Sequence, residues 1–196
     1  MNKEISLSQK EICFWCIGDV EYEKYHNDEW GRCCFDDFKL FEKISLEVFQ
    51  CGLSWITVLK KRKHFRKAFD KFNFYKISKY NLIDIDRLVN DQKIIRHKGK
   101  ILATINNASC AIELVKEFGS VSNFIYRYKL GVNKKRPSKK EFLSLSKSAE
   151  SIKLSNDFKR RGWKFIGPTN MYALMQSIGI VNDHLRGCII GDKIEG

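Results

Sequence analysis

His184 and Cys188 stand four residues apart in "NDHLRGC", while Cys13 and His26 stand near the other end of the chain. On a helix or a tight turn the first pair projects to one side, as two ligands of a single ion must. The four together make a Cys2His2 set, the closed tetrahedral arrangement of structural zinc. Such a site would tie the N-terminal segment to the C-terminal one, and its binding energy would be folding energy. "CFWC" complicates the assignment, because Cys13 and Cys16 could both be ligands or form a redox pair. No βαβ pattern surrounds it, which weighs against thioredoxin-like chemistry, and spacing alone does not choose between the two cysteines.

Two further stretches could act on a flat ring. In "YEKYHNDEWG", Tyr22, Tyr25 and His26 fall at i, i+3 and i+4 and share one face if helical. They are either ordinary packing or a ring-binding wall beside a metal ligand. In "SLEVFQCGLSWITVLKKR", Glu47 lies between Leu46 and Val48. A carboxylate there must be paired, line a cavity, or ride the solvent edge of its helix, since burying it alone is costly. Trp55 follows in the first turn of the next helix, as core or as a stacking surface. Lys60, Lys61, Arg62, Lys63, Arg66 and Lys67 come directly after it, a positive face suited to phosphates.

The elements that must carry these residues are helical in period. Phe41, Ile44 and Val48 mark one apolar stripe, Ile101, Ile105, Ala108, Ile112 and Val115 a second, and Met171, Leu174, Met175 and Ile178 a third. Asp36 and Ser54 are suited to N-caps, Gly162 to a helix stop, and Pro168 to a first helical residue. The reading is an all-α protein of seven or more helices with no internal repeat. Residues 134–140, "KKRPSKK", read as a solvated loop with phosphate contact as the second reading. His64 and His97, in basic surroundings, read as surface or backbone-contacting residues.

At 196 residues, 43% hydrophobic and 30% charged, the chain has the makings of one soluble domain over residues 13–196, with residues 1–12 a mobile extension. The start lacks the apolar run of a signal peptide and no stretch reaches membrane-spanning length, so a cytoplasmic monomer without membrane contact is expected. Seven cysteines fit reduced thiols better than a disulfide framework. The formal net charge of +13 points to a polyanion, nucleic acid first, or to no more than a lysine-rich solvated surface.

"HNDEWG", "LEVFQCGLSWITVLKKR", "LVNDQKIIRHKGKI" and "RRGWKFIGPTNMYALMQSIGIVNDHLRGC", with the leading Cys-x-Trp, resemble the 3-methyladenine DNA glycosylase I family from about Cys13 to Cys188. The resemblance implies the helix-hairpin-helix glycosylase fold and monofunctional hydrolysis of the N-glycosidic bond of 3-methyladenine in double-stranded alkylated DNA. It implies a structural Zn2+ on Cys13, His26, His184 and Cys188, which selects Cys13 over Cys16. It also implies a base pocket in which Glu47 hydrogen-bonds the adenine edge, Trp55 and Tyr22 sandwich the base, Tyr25 adds a polar wall and Trp15 closes the site. The hairpin would span residues 84–100, with Lys93, Arg96, Lys98 and Lys100 on the DNA backbone. Relatives often carry glycine where this chain has Val48 and Lys93. A catalytically silent alkylated-base or DNA-structure binder on the same scaffold is the alternative. A thiol- or zinc-handling protein is a more distant one.

Overall fold

The structure is a computed structural model that describes residues 12–129 and 135–195. The extension expected over residues 1–12 falls outside the described residues except for its last position. Among the described residues there are eleven α-helices and no strand. They are α1 (Val20–Asp28), α2 (Asp37–Gln50), α3 (Trp55–Ala68), α4 (Phe74–Ile77), α5 (Leu82–Asn90) and α6 (Lys98–Phe118), followed by α7 (Val121–Tyr126), α8 (Lys139–Ser144), α9 (Ala149–Arg160), α10 (Pro168–Ser177) and α11 (Ile189–Glu195).

Local chemistry sets the helix ends. Asp19 accepts from the backbone N–H groups of Glu21 and Tyr22 to start α1, and Asp36 accepts from Phe38 and Lys39 to start α2. Asn81 opens α5 with a reciprocal capping box through Asp84, and Ser138 does the same for α8 through Glu141. Ser54 stands at the N-cap of α3, but its hydroxyl bonds the Thr57 hydroxyl at 2.7 Å instead of the backbone. Pro168 is the first residue of α10, and Gly162 follows α9 with φ +82°.

The chain divides into two units. The larger takes residues 34–129 and 146–175. Its core is built on α2, whose Phe41, Ile44 and Val48 are fully buried, and which packs against α3, α6 and α7. Stacked and tilted rings extend it: Phe49 lies 4.6 Å from Phe65, and Phe69 is stacked on Phe72 at 5.7 Å. The apolar stripe expected on α6 is rotated. Ile101 and Ala108 are buried as expected, but Ile105, Ile112 and Val115 are only half-buried, and Thr104, Asn107, Ala111 and Leu114 complete the inner face. Thr104 and Asn107 can sit there because each has backbone partners.

The smaller unit takes residues 1–33, 130–145 and 176–196. Its apolar centre is Cys13, Cys188 and Ile190, with Trp15, Leu185, Ile189 and Ile194 packed against them. The Phe14 ring meets Phe142 edge-on at 6.0 Å. The basic stretch at residues 134–140 is a solvated loop only in part: Lys135, Lys139 and Lys140 are exposed, but Arg136 turns inward (Lys134 lies outside the described residues). Arg136 is largely buried, donates to the carbonyl of Cys188 at 3.0 Å and pairs with Asp192 and Glu195. The guanidinium joins backbone carbonyls and two carboxylates at once, which its fixed fork of donors suits.

Candidate active site and metal centre

Glu47 does not ride a solvent edge. It sits on the buried side of α2 with 3% of its surface exposed, and its Oε2 has no hydrogen-bond partner. Burial pushes its carboxyl up from an ordinary 4.5 to about 8, against a smaller lowering by Lys43. It faces a cleft of about 640 Å³ whose lining includes Gln50, Cys51, Trp163, Phe165 and Asn170. That volume is in the range of small-molecule sites, roughly 300–1,000 Å³. A protonated acid with a bare oxygen, held in a cleft, is arranged to receive a polar or positively charged guest. Val48, beside it, is fully buried and simply fills the inner face of α2.

Trp55 opens α3 and is half-buried, but it is not among the residues lining that cleft. In the smaller unit, Trp15 lies in a 3-10 turn and its ring centre is 5.0 Å from Tyr22, 5.1 Å from His26 and 4.9 Å from Trp30. Tyr22, Tyr25 and His26 all lie on α1, with Tyr25 and His26 buried. The tyrosines of the expected wall and the expected ligand histidine therefore belong to one short helix.

The four expected metal ligands converge. One donor atom from each of Cys13, His26, His184 and Cys188 lies within 4.8 Å of all the others, and all four residues are buried. His184 Nδ1 is 3.0 Å from His26 Nε2 and 3.5 Å from Cys188 Sγ; Cys188 Sγ is 3.6 Å from His26 Nε2, and Cys13 Sγ is 3.8 Å from His184 Nδ1. Zn–N bonds near 2.0 Å and Zn–S bonds near 2.3 Å give tetrahedral edges of about 3.3–3.8 Å, so the spacing suits a single four-coordinate ion. The outer nitrogens are also engaged: His26 Nδ1 pairs with Asn27 Oδ1 at 2.7 Å, and His184 Nε2 with the Trp30 carbonyl at 3.3 Å. Such partners fix the tautomer that presents the other nitrogen to a metal. Cys16 stays outside the set; its thiol donates to the Cys13 carbonyl at 3.0 Å, and burial pushes it up to about 12. A thiol so reluctant to ionise makes a poor redox partner.

The family model described as methyladenine glycosylase matches residues 15–191. The chain belongs to that family. Among similar proteins, the DNA-3-methyladenine glycosylase of Haemophilus influenzae is 43% identical over 180 residues, covering 90% of this chain and 95% of its own length. DNA-3-methyladenine glycosylase 1 of Escherichia coli is 42% identical over 182 residues, covering 91% and 95%. A solved structure of 3-methyladenine DNA glycosylase I from Staphylococcus aureus, described for its basis of 3-methyladenine recognition, superposes with a TM-score of 0.86 at 30% identity, covering 94% of this chain and 98% of that one.

In this methyladenine glycosylase the segment expected to hold a hairpin consists of α5, a turn over residues 91–97, and α6. Lys93, Arg96 and Lys98 are exposed along it. Lys93 lies outside the left-handed region, so its replacement of a glycine needs no strain, and the Asp91 carboxylate accepts its N–H at 2.9 Å. His97 caps α6, its Nδ1 accepting from Lys100 N at 3.2 Å. Lys100 differs from the expected phosphate contact. It is buried, and its ammonium donates to the carbonyls of Phe49 at 2.9 Å and Cys51 at 2.6 Å, closing the C-terminus of α2. Sequence reasoning also passed over three asparagines that hold residues 162–167. Asn106 donates to the Gly162 carbonyl, Asn107 bonds both backbone groups of Lys164, and Asn170 bonds the Phe165 carbonyl and the Gly167 N–H. Asparagine runs carry no signal for this; only the fold brings 107 and 164 together. Among the described residues no helix is long and apolar enough to cross a membrane.

Proposed function

We propose that this protein is a DNA repair N-glycosylase that hydrolyses the glycosidic bond of 3-methyladenine in double-stranded alkylated DNA. The observation that carries the reading is Glu47: a buried carboxyl with a bare oxygen, facing a cleft, in a member of the methyladenine glycosylase family. The residues proposed to contact the base are Glu47, Trp55, Trp15, Tyr22 and Tyr25, each carried over from the resemblance. N3-methylation makes the purine cationic. A cation over an aromatic face gains roughly 0.5–2 kcal/mol, and a carboxylate adds a charge-assisted hydrogen bond.

The base must leave the stack to be reached. The bond between the sugar and the purine then breaks, the electron pair leaving with the ring, which departs as a neutral base, and water supplies the new hydroxyl on the sugar, its other proton passing to solvent. Because the leaving group starts positive, it needs little help from an acid, and no general base is assigned. The positive guest pulls Glu47 toward its ionised form, so the bare oxygen gains its partner only when substrate is present.

A structural zinc on Cys13, His26, His184 and Cys188 belongs to the same proposal, supported by the tetrahedral spacing of their donor atoms. So does a helix-hairpin-helix at residues 84–100 in which Lys93, Arg96 and Lys98 meet phosphates. A cytoplasmic monomer is the proposed state. The test is chromatography of bases released from methylated duplex DNA. Release of 3-methyladenine by the parent and its loss in Glu47→Gln is the expected result; binding without release would favour the silent DNA-binding alternative.

A further inference from the structure

Phe165 is the one residue of its loop for which core packing offers no account. The residue is 47% exposed although its side chain is wholly apolar. Its φ is +56°, a backbone conformation that bulky L-residues seldom adopt. The loop does not take this shape by default, because its backbone is held at Gly162, Lys164, Phe165 and Gly167 by the three asparagine amides described above, at distances from 2.6 to 3.1 Å. Strain fixed from both sides, with an apolar ring delivered into water, marks a residue placed for a partner.

The position of the ring says which partner. Phe165 lines the cleft that Glu47 faces. Its ring also meets His97, the cap of α6, edge-on at 6.2 Å. Gly99 keeps the room beneath it, since a side-chain carbon there would lie 3.4 Å from the Phe165 ring and 3.1 Å from the His97 ring. Phe165 thus stands between the cleft and the start of α6, where exposed Arg96 and Lys98 flank the turn. A ring on the rim, beside phosphate-seeking cations, meets a nucleic acid at the level of its base stack. Apolar side chains inserted there hold base steps apart, and aromatic stacking tolerates any sequence.

We infer that Phe165 is a DNA-stacking residue, whose ring fills against the base pair flanking the extruded nucleotide and keeps the vacated step open. The inference rests on the proposed glycosylase reading. It is distinct from base recognition, because Phe165 would touch the duplex and not the damaged purine.

The test compares the parent with Phe165→Asn, which removes the ring yet tolerates the left-handed backbone, and with Phe165→Trp, which restores a stacking surface. Three readouts are taken on each protein: single-turnover excision from methylated duplex DNA, affinity for free 3-methyladenine, and the fluorescence of 2-aminopurine placed beside an abasic analogue in a duplex. Loss of one aromatic stack should slow excision by Phe165→Asn about ten- to a hundredfold. Thermal melting should stay at the parental level, free-base affinity should fall far less than excision, the 2-aminopurine signal should shrink, and Phe165→Trp should recover excision. Equal excision by Phe165→Asn and the parent overturns the inference, and so does a matching loss of free-base affinity, which would make Phe165 a wall of the base site. If the parent itself releases no base, the glycosylase reading falls and takes this inference with it, an outcome visible before any variant is compared.

Discussion

Replacing Glu47 with glutamine should make the protein more stable and less active, and the size of the first effect follows from burial. Burial raises the carboxyl from an ordinary 4.5 to about 8. Below both values the folded and unfolded chains are protonated alike and the group contributes nothing. As pH rises past the lower value the unfolded chain ionises while the folded one holds its proton, so the folded state binds more protons and stability falls with pH. At neutral pH the gap is about 2.5 pH units, which at about 1.4 kcal/mol per unit is on the order of 3 kcal/mol. Glutamine does not ionise and escapes this penalty. Denaturant unfolding of both proteins between about pH 4 and about pH 8 should show the difference opening from near zero by about 1.4 kcal/mol per unit and levelling off near the top of that range. Single-turnover excision by the parent, with protein below saturation, should rise toward about pH 8 as the folded carboxylate forms, while the variant stays low and flat. A stability difference that does not change with pH would refute the reasoning, because it would mean the acid is solvated in the folded chain.

Four other outcomes are expected. Cys188→Ala should lose bound zinc, measured by atomic absorption, and melt well below the parent, whereas free 3-methyladenine affinity should fall only as the fold is lost. Lys100→Met should cost about 1.5–3 kcal/mol in urea unfolding, because two carbonyls at the end of α2 lose a charged donor. By contrast, Arg96→Ala should leave stability unchanged and reduce the salt slope of DNA binding by about one. Gly179→Ala should destabilise by at least about 2 kcal/mol in calorimetry, since the backbone there has φ +69° and a new methyl would come to 2.6 Å from the Gly31 carbonyl.

What could be read from the residues alone was whatever depends on type and short spacing. The spacing of His184 and Cys188 suggested a metal pair because few other roles need those side chains at that interval, whereas the choice of Cys13 over Cys16 came from the resemblance; α2 and α10 followed from apolar periodicity and their caps. Glu47 could not be settled that way. Its neighbours Leu46 and Val48 fit a helix whose edge or whose centre faces inward, and only the packing of α2 against three other helices decides. Lys100 and Arg136 misled for a related reason. A cation in a basic run looks like surface, yet each of these two is drawn inward by carbonyls that lie 49 or more positions away in sequence. The rotated inner face of α6 had the same origin at Asn107, which becomes tolerable in a core once the distant Lys164 backbone satisfies it, while Thr104 bonds back to the Lys100 carbonyl of its own helix.

The Lys100 ammonium has one further effect. It fastens the end of the helix that bears Glu47 to the opening turn of α6, within a few residues of exposed Arg96 and Lys98. On the proposed reading, the cations assigned to the sugar–phosphate strand and the acid assigned to the purine are thus held at one spacing, as marks on a ruler. A nucleotide seated by its backbone would find its base already at the correct reach.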